Sequence, residues 1–453
     1  VVIGGSIAGM LAATVLAEHF ELVTIFDREP PATAPVPRKS VPQARHSHLL
    51  LPPGYAIMRD LLPGLFAEIE AAGPPRVDLA RDMAWHHFGR WRPRFRADIM
   101  TTLCTRPLLE YHVQQRVLAL PRVRVQGGCT VERLLADRQQ ITGVRIHRPD
   151  GSVADVAADF VVDASGRGSR LPDWLAELGF ARPREDAVRI DLGYTSRLYA
   201  PPADFAGGWK FLVSYPNPPH SWRGGLICSV ERGAWSVSLN GYFHDYPPTD
   251  EAGFLEFARS LTQPYIYEYL RKARPLSELR AYRLAAVRRL RYESLGGLPE
   301  RLYVVGDAVC YLNPMFGQGM SLAAFGAEAL RVELRARHDK LEGLGRAAQR
   351  RLGRRLAMPW FLTTSLDLRF PQAQGGRPPW LPLVHRYIDG LMQTVTTNRR
   401  VCLKLYRVLA MQSDGRALLA PAALLPVLRA VLQRPPQPDD ADARSATLPR
   451  PLD

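Results

Sequence analysis

The stretch VVIGGSIAGMLAATVLAEHFELVTIFDRE, residues 1–29, leaves this chain few ways to fold. It runs apolar strand, glycine turn, small-residue helix, second strand and acid, the order of a βαβ unit built for a dinucleotide. Gly4, Gly5 and Gly9 let the backbone come close to a phosphate at the helix N-terminus, and Ala12 and Ala13 keep that helix slim against a sheet. Asp27 ends the second strand, where an acid rather than an arginine suits an unphosphorylated ribose. Ser6 stands where the strict G-x-G-x-x-G pattern has glycine; it is small and leaves its N–H free.

A second strand–loop–helix lies at 302–330, LYVVGDAVCYLNPMFGQGMSLAAFGAEAL. An apolar run ends at Gly306-Asp307, a loop carries Asn313-Pro314, and Gly317-Gln318-Gly319 precede a small-residue helix from about Met320. A carboxylate at the end of such a strand can accept a hydrogen bond from a ribose or ribityl hydroxyl. A third strand, 160–162, exits into DASGRGSR at 163–170.

Between these pieces the pattern changes. Thr105 is a helix N-cap, and Arg106 in the first turn opposes the helix dipole, so it faces either a ligand or solvent. Residues 121–162 alternate as strands with a hairpin turn at Pro149-Asp150-Gly151. Residues 76–100 and 187–245 alternate with period two and are rich in aromatics, as in an antiparallel sheet. Single helices are expected over 55–75 and 250–272. From Leu330 onward the chain reads as helices broken by Pro359, Pro371, Pro378-Pro379 and Pro382. The loop VPQARHSHLL carries Arg45, His46 and His48; two histidines with no third ligand nearby make a poor metal site, and Arg45 is its best cofactor-facing residue. Arg346, Arg350 and Arg354 form a solvated helix face.

Lys and Arg total 59 against 44 Asp and Glu, a net charge of +15, and no zinc-finger spacing or basic–aromatic module accompanies it. Nucleic acid is therefore not an expected partner. The five cysteines include no C-x-x-C pair, which fits a reducing, cytoplasmic setting without metal or disulfides. No apolar run reaches the roughly 18 residues of a membrane span. The chain opens on Val1 inside a strand, so further residues are expected upstream.

In their order, the pieces at 4–27, 163–170 and 306–319 resemble the group A flavoprotein monooxygenases, the para-hydroxybenzoate hydroxylase-like superfamily, over residues 1–335. VPQARHSHLL and the helical C-terminal third look most like its actinobacterial hydroxylase and epoxidase branch. The resemblance implies an α/β fold. A discontinuous Rossmann-like FAD-binding domain of the GR2 type takes 1–75, 101–180 and 283–335. An antiparallel β-sheet substrate domain takes 76–100 and 181–282, followed by a helical C-terminal region at 336–433 and a disordered tail at 434–453. It implies FAD bound by Gly4, Gly5, Ser6, Gly9, Asp27, Arg28, Arg45, Arg106, Asp163, Gly166 and Asp307, with Pro314, Gly317, Gln318, Gly319 and Met320 along the ring. Here the second motif reads Asp-Ala-Ser-Gly rather than Asp-Ala-Asp-Gly.

The resemblance further implies an enzyme that uses NADH or NADPH and O₂, through a flavin C4a-hydroperoxide, to hydroxylate or epoxidise a hydrophobic specialised metabolite, an aromatic polyketide or a polyene or prenyl chain. A reductase of the prenyl-saturase kind, without oxygen incorporation, is the alternative. A flavin halogenase is less favoured because the eight tryptophans include no W-x-W pair. Candidate bases are Tyr194, Arg197, Tyr215, His220 and Tyr242. The C-terminal helices either cap the core, guard a substrate entrance or touch a membrane surface.

Overall fold

The computed structural model describes residues 1–338, 340–433 and 447–452. Strands β1 (Val2–Ile3), β2 (Val23–Phe26), β3 (Val123–Gln126), β4 (Val161–Asp163) and β5 (Leu302–Val304) form one parallel sheet in the order β5-β4-β1-β2-β3. The inner strands are largely apolar and buried, as in a sheet packed on both faces, whereas the edge strand β3 alternates, with Arg124 and Gln126 exposed. Helix α1 (Ile7–Ala17) follows β1 and packs against α2 (Arg106–Leu118) and α3 (Gly319–Ala336). Squeezed between sheet and helices, α1 is buried on nearly every side, so its sequence carries almost no polar face.

A three-stranded antiparallel sheet, Thr130–Asp137, Gln140–His147 and Val153–Ala157, contains the hairpin at Pro149-Asp150-Gly151. The second large sheet centres on the long strand Glu185–Ala200, flanked by Arg280–Leu290 and Trp235–Gly241. It continues through Arg223–Ser229 and Phe211–Ser214 to Met83–His87, the last pair being parallel. One face packs on Phe254, Phe257 and Ile266. The other meets α5 (Leu381–Thr397), α6 (Arg399–Leu409) and α7 (Pro421–Gln433) through Trp85, Phe211, Met392, Val395 and Tyr406. Helix α4 (Leu344–Asp367) buries Leu344, Ala348, Leu352 and Leu356 in the same core as the parallel sheet.

Four expectations are corrected. The helix expected over 250–272 is two, Glu251–Arg259 and Tyr265–Leu270, because Pro264 cannot continue the first. That over 55–75 is also two, Pro52–Leu61 and Leu65–Ala71, parted at Pro63 and Gly64, the latter with φ +83°. Pro359 does not break its helix: it lies buried inside α4, where tertiary packing outweighs one lost backbone hydrogen bond. Of the tail expected to be disordered, 434–446 and 453 lie outside the described residues. Pro451–Leu452 pairs with Arg94–Phe95, and Arg94 donates to the Pro449 carbonyl at 3.2 Å.

Candidate functional site

The loops leaving the carboxyl ends of β1, β4 and β5 converge on a cavity of about 510 Å³, where open parallel sheets bind ligands. Gly4 takes φ +100°, and a Cβ there would lie 2.6 Å from the Ala164 carbonyl oxygen. A Cβ on Gly9 would lie 1.8 Å from the Gly4 carbonyl oxygen, so Gly9 serves the turn from inside the helix and does not line the cavity. Ser6, the N-cap of α1, makes no capping bond; its Oγ accepts from Arg106 Nη2 at 3.0 Å. The first turn of α1 is therefore uncapped, with Ser6, Ile7 and Ala8 on the cavity wall.

Asp27 lines the same wall beside Arg28. Its Oδ2 accepts from Gly5 N–H at 2.5 Å, and its Oδ1 accepts from Arg38 Nη2 at 2.5 Å. Arg38 is buried and also donates to the Gly5 carbonyl at 2.9 Å and Glu110 at 3.3 Å, locking the glycine turn, β2 and α2 together. Nothing in the local sequence marks this arginine. Arg45, expected to face the cofactor, is exposed and outside the cavity, while its neighbours Gln43, His46, Ser47 and His48 line it. Pro42–Arg45 is a single 3₁₀ turn, and the chain becomes extended only at His46, so Arg45 ends the turn on its solvent side. His46 Nδ1 bonds Ser196 Oγ at 2.7 Å, and burial lowers its pKa to about 4, so the ring is neutral.

Asp163 is a second correction. It is fully buried beneath the cavity, accepting from Ser165 Oγ at 2.6 Å and from Ser169 Oγ at 2.5 Å. Its carboxylate shapes the loop that presents Gly166 and Arg167. Burial raises its pKa and the serine hydrogen bonds oppose that rise. Asp307, by contrast, lines the cavity, and its carboxylate makes no hydrogen bond among the described residues. Burial raises its pKa; the charges of Arg167 and Arg106 pull it back. Arg167 stacks over Tyr282 with its guanidinium carbon 5.0 Å from the ring centre.

At the far end, Pro314–Phe316 forms a single turn, Gly317 takes φ +64°, and α3 starts at Gly319 with no side-chain cap. Pro314, Gly317, Gln318, Gly319 and Met320 all line the cavity. Asn313 holds this loop from behind: Oδ1 accepts from Met315 N–H at 3.1 Å, and Nδ2 donates to Tyr242 OH and to Asp367 Oδ1, both at 2.7 Å. Asp367, at the end of α4, is 1 % exposed, and burial raises its pKa to about 7 against the pull of hydrogen bonds donated by Asn313 and Tyr242. Sequence reasoning missed it, since it lies in a different element with no motif.

A smaller cavity of about 100 Å³ adjoins this loop, walled by Trp85, Phe211, Leu226, Met392 and Tyr406. It shares Tyr215, Pro314, Met315, Gly317 and Gln318 with the larger one. Of the candidate bases, Tyr194 and Tyr215 reach a cavity; Arg197 is committed to Glu251 and the Ser277 carbonyl, His220 is exposed, and Tyr242 is bound to Asn313. Burial raises the pKa of both Tyr194 and Tyr215, so both phenols stay protonated.

A Gly-turned parallel sheet with an antiparallel sheet over the same cleft is the architecture of a flavin-dependent oxidoreductase. The FAD binding domain family matches residues 1–338, and the chain belongs to that family. It is 34% identical over 397 residues to Protein Rv3254 of Mycobacterium tuberculosis, covering 84% of this chain and 83% of that protein. Three solved structures share the fold. A flavoprotein/dehydrogenase from Cytophaga hutchinsonii has a TM-score of 0.66 and 15% identity, covering 95% of this chain and 97% of its own. The p-nitrophenol 4-monooxygenase PnpA from Pseudomonas putida DLL-E4 has 0.63 and 18%, covering 90% and 97%. The myxobacterial chondrochloren halogenase CndH has 0.62 and 17%, covering 97% and 98%.

Proposed function

We propose that the chain is a monooxygenase that uses FAD, a reduced nicotinamide and O₂ to place one oxygen atom on a hydrophobic substrate, by hydroxylating an aromatic ring or epoxidising an alkene. The observation that carries this reading is the loop 314–318, which walls both the large cavity and a smaller, largely apolar one. The residues present fit FAD. Two uncapped helix N-termini, of α1 and α3, reach the cavity, and the half-buried Asp307 carboxylate makes no hydrogen bond among the described residues. The N-terminus of α1 would face the pyrophosphate, Asp27 the adenosine ribose and Asp307 the ribityl hydroxyls. When bound, FAD supplies the electron transfer and oxygen activation.

The chain's own groups bind, orient and exclude water. The N-terminal dipole of α3 favours negative charge at the ring end of the cavity. Trp85, Phe211 and Leu226 keep the adjoining chamber dry. Tyr194 and Tyr215, held protonated by burial, donate their hydroxyl protons to Asn313 Oδ1 and to the Met315 carbonyl and so steady the loop at the ring end; neither serves as a base near neutral pH. The exposed Leu425, Leu428 and Leu432 on α7 support contact with a lipid surface that holds a greasy substrate.

The test is substrate-dependent consumption of NADH or NADPH and O₂ by the purified holoenzyme, offered fused aromatics, polyenes and prenyl chains. A product one oxygen atom heavier is expected. Flavin turnover that leaves the product without added oxygen would mean a reductase, and a halide-dependent product a halogenase.

A further inference from the structure

The loop that walls the ring end of the large cavity is tethered from two sides. From the antiparallel sheet, Tyr215 OH donates to the Met315 carbonyl, and Asn240 Nδ2 and Tyr242 OH each reach Met315 Sδ at 3.3 Å. All of these grip Met315, in the middle of the loop. The two ends are held by α4 instead. Asn313 Nδ2 donates to Asp367 Oδ1 at 2.7 Å, and Gln318 Oε1 accepts from Thr363 Oγ1 at 3.3 Å. Thr363 and Asp367 stand one helical turn apart on one face of α4, and each is 1 % exposed.

Local physics opposes an acid at position 367. It is the last residue of α4, where the helix dipole is negative and no basic side chain stands in the final turn. It is also buried without a cation, and only the hydrogen bonds of Asn313 and Tyr242 offset that burial. What the position delivers is orientation. Its Oδ1 accepts whether or not the acid carries a proton on Oδ2, so it draws the NH₂ side of Asn313 toward it. Reversed, the Asn313 amide would turn its oxygen against Asp367 and its NH₂ against the Met315 N–H, from which Oδ1 now accepts at 3.1 Å. The amide therefore has one satisfying orientation, and in it Asn313 caps the turn Pro314–Phe316. At the other end Gln318 immediately precedes α3, whose first turn has no side-chain cap of its own.

We infer that the last turn of α4 is a clamp on the ring end of the cavity, with Asp367 and Thr363 as its positioning residues: acting through Asn313 and Gln318, they fix the loop at both ends and so set the wall that meets the flavin ring. Asn313, Pro314, Met315, Gly317 and Gln318 line the cavity, whereas neither Thr363 nor Asp367 does. The clamp lies beyond residue 338, where the FAD binding domain match ends. A helix outside the matched segment thereby governs the reactive end of the cofactor site. The inference rests on the part of the proposed function that seats the flavin ring against this loop, and it is independent of oxygen transfer.

Paired variants of the full chain separate a clamp from plain packing. Asp367→Leu and Thr363→Val keep the side chain's size and lose its hydrogen bond, while Asp367→Asn and Thr363→Ser keep the bond. Visible circular dichroism of bound FAD reads the surroundings of the ring, equilibrium dialysis reads its affinity, and melting of the apo protein reads the fold. Asp367→Leu and Thr363→Val should bind FAD about threefold or more weakly and lose intensity in the visible flavin bands. Asp367→Asn and Thr363→Ser should stay within about twofold of the parent in affinity and keep its spectrum. Thr363→Val exchanges one hydroxyl for a methyl and carries the test if Asp367→Leu does not fold. A lower apo melting temperature with flavin affinity and spectrum unchanged would make both residues ordinary packing and overturn the clamp. Equal changes in the two members of a pair would overturn it as well. A product without added oxygen would sink the monooxygenase reading and leave these readouts as they are.

Discussion

Asp307 is half-buried at the cavity wall and Asp367 is fully buried, and they differ in what faces them. Asp307 has the charges of Arg106 and Arg167 nearby and cavity in front of it. Removing it relieves a desolvated charge in the empty protein but deprives a bound ribityl chain of an acceptor. Asp307→Ala is therefore expected to bind FAD at least about tenfold more weakly while the apo protein melts no lower than the parent. Equilibrium dialysis with FAD and circular-dichroism melting check the two halves, and unchanged flavin affinity would remove the assignment. Asp367 has no cation, only Asn313 and Tyr242. Its folded pKa, about 7, lies above its unfolded value of 3.8. Its stabilising contribution is thus complete below about pH 4 and is lost as pH rises through 7. Asp367→Asn should gain on the parent over that window, by on the order of 3 kcal/mol; urea titrations at pH 4.5 and 8 measure it, and a pH-independent difference would refute it.

At the scale of elements, helix ends decide more than helix middles. The uncapped starts of α1 and α3 sit where a ligand can supply the missing partners, whereas the start of α6, which walls the smaller cavity, is capped: Asn398 Oδ1 accepts from Val401 N–H at 3.1 Å. Asn398→Ala should cost about 1 kcal/mol, read as a lower thermal midpoint with flavin content intact. Proline was a weaker guide to these elements than capping. Pro264 separates two helices at the surface, but Pro359 rides through α4 because its neighbours Leu356 and Trp360 are buried on the same core. A backbone preference of a few kcal/mol yields to tertiary packing when enough apolar surface depends on it.

Across the whole molecule, the C-terminal helices are more than a cap. Leu366 of α4, Met392 of α5 and Tyr406, Leu409 and Ala410 at α6 wall the smaller cavity, so its chemistry is set by a region outside the matched family segment. The leucine stripe on α7 and the charge of +15 together predict binding to anionic vesicles. Replacing Leu425, Leu428 and Leu432 with Gln should reduce sedimentation with phosphatidylglycerol vesicles; a parent protein that stays in the supernatant would rule the contact out. Among the described residues no helix is long and apolar enough to cross a membrane.

By itself the sequence determined the parallel sheet and the position of the cavity at its strand ends, because Gly4, Gly9, Asp27 and Gly317 answer local demands of backbone angle, close approach and strand end that are written within a few neighbouring residues. It also placed the aromatic strands in a second sheet through their alternation. Only the tertiary structure decided that Arg45 faces water while Arg38 clamps Asp27, that Asp163 serves its own loop, and that Asp367 steadies Asn313 from 54 positions away. The Arg92–Met392 contact spans 300 positions. Burial, pairing and the shape of a cavity depend on which distant segments meet, and no local pattern of residues encodes that meeting.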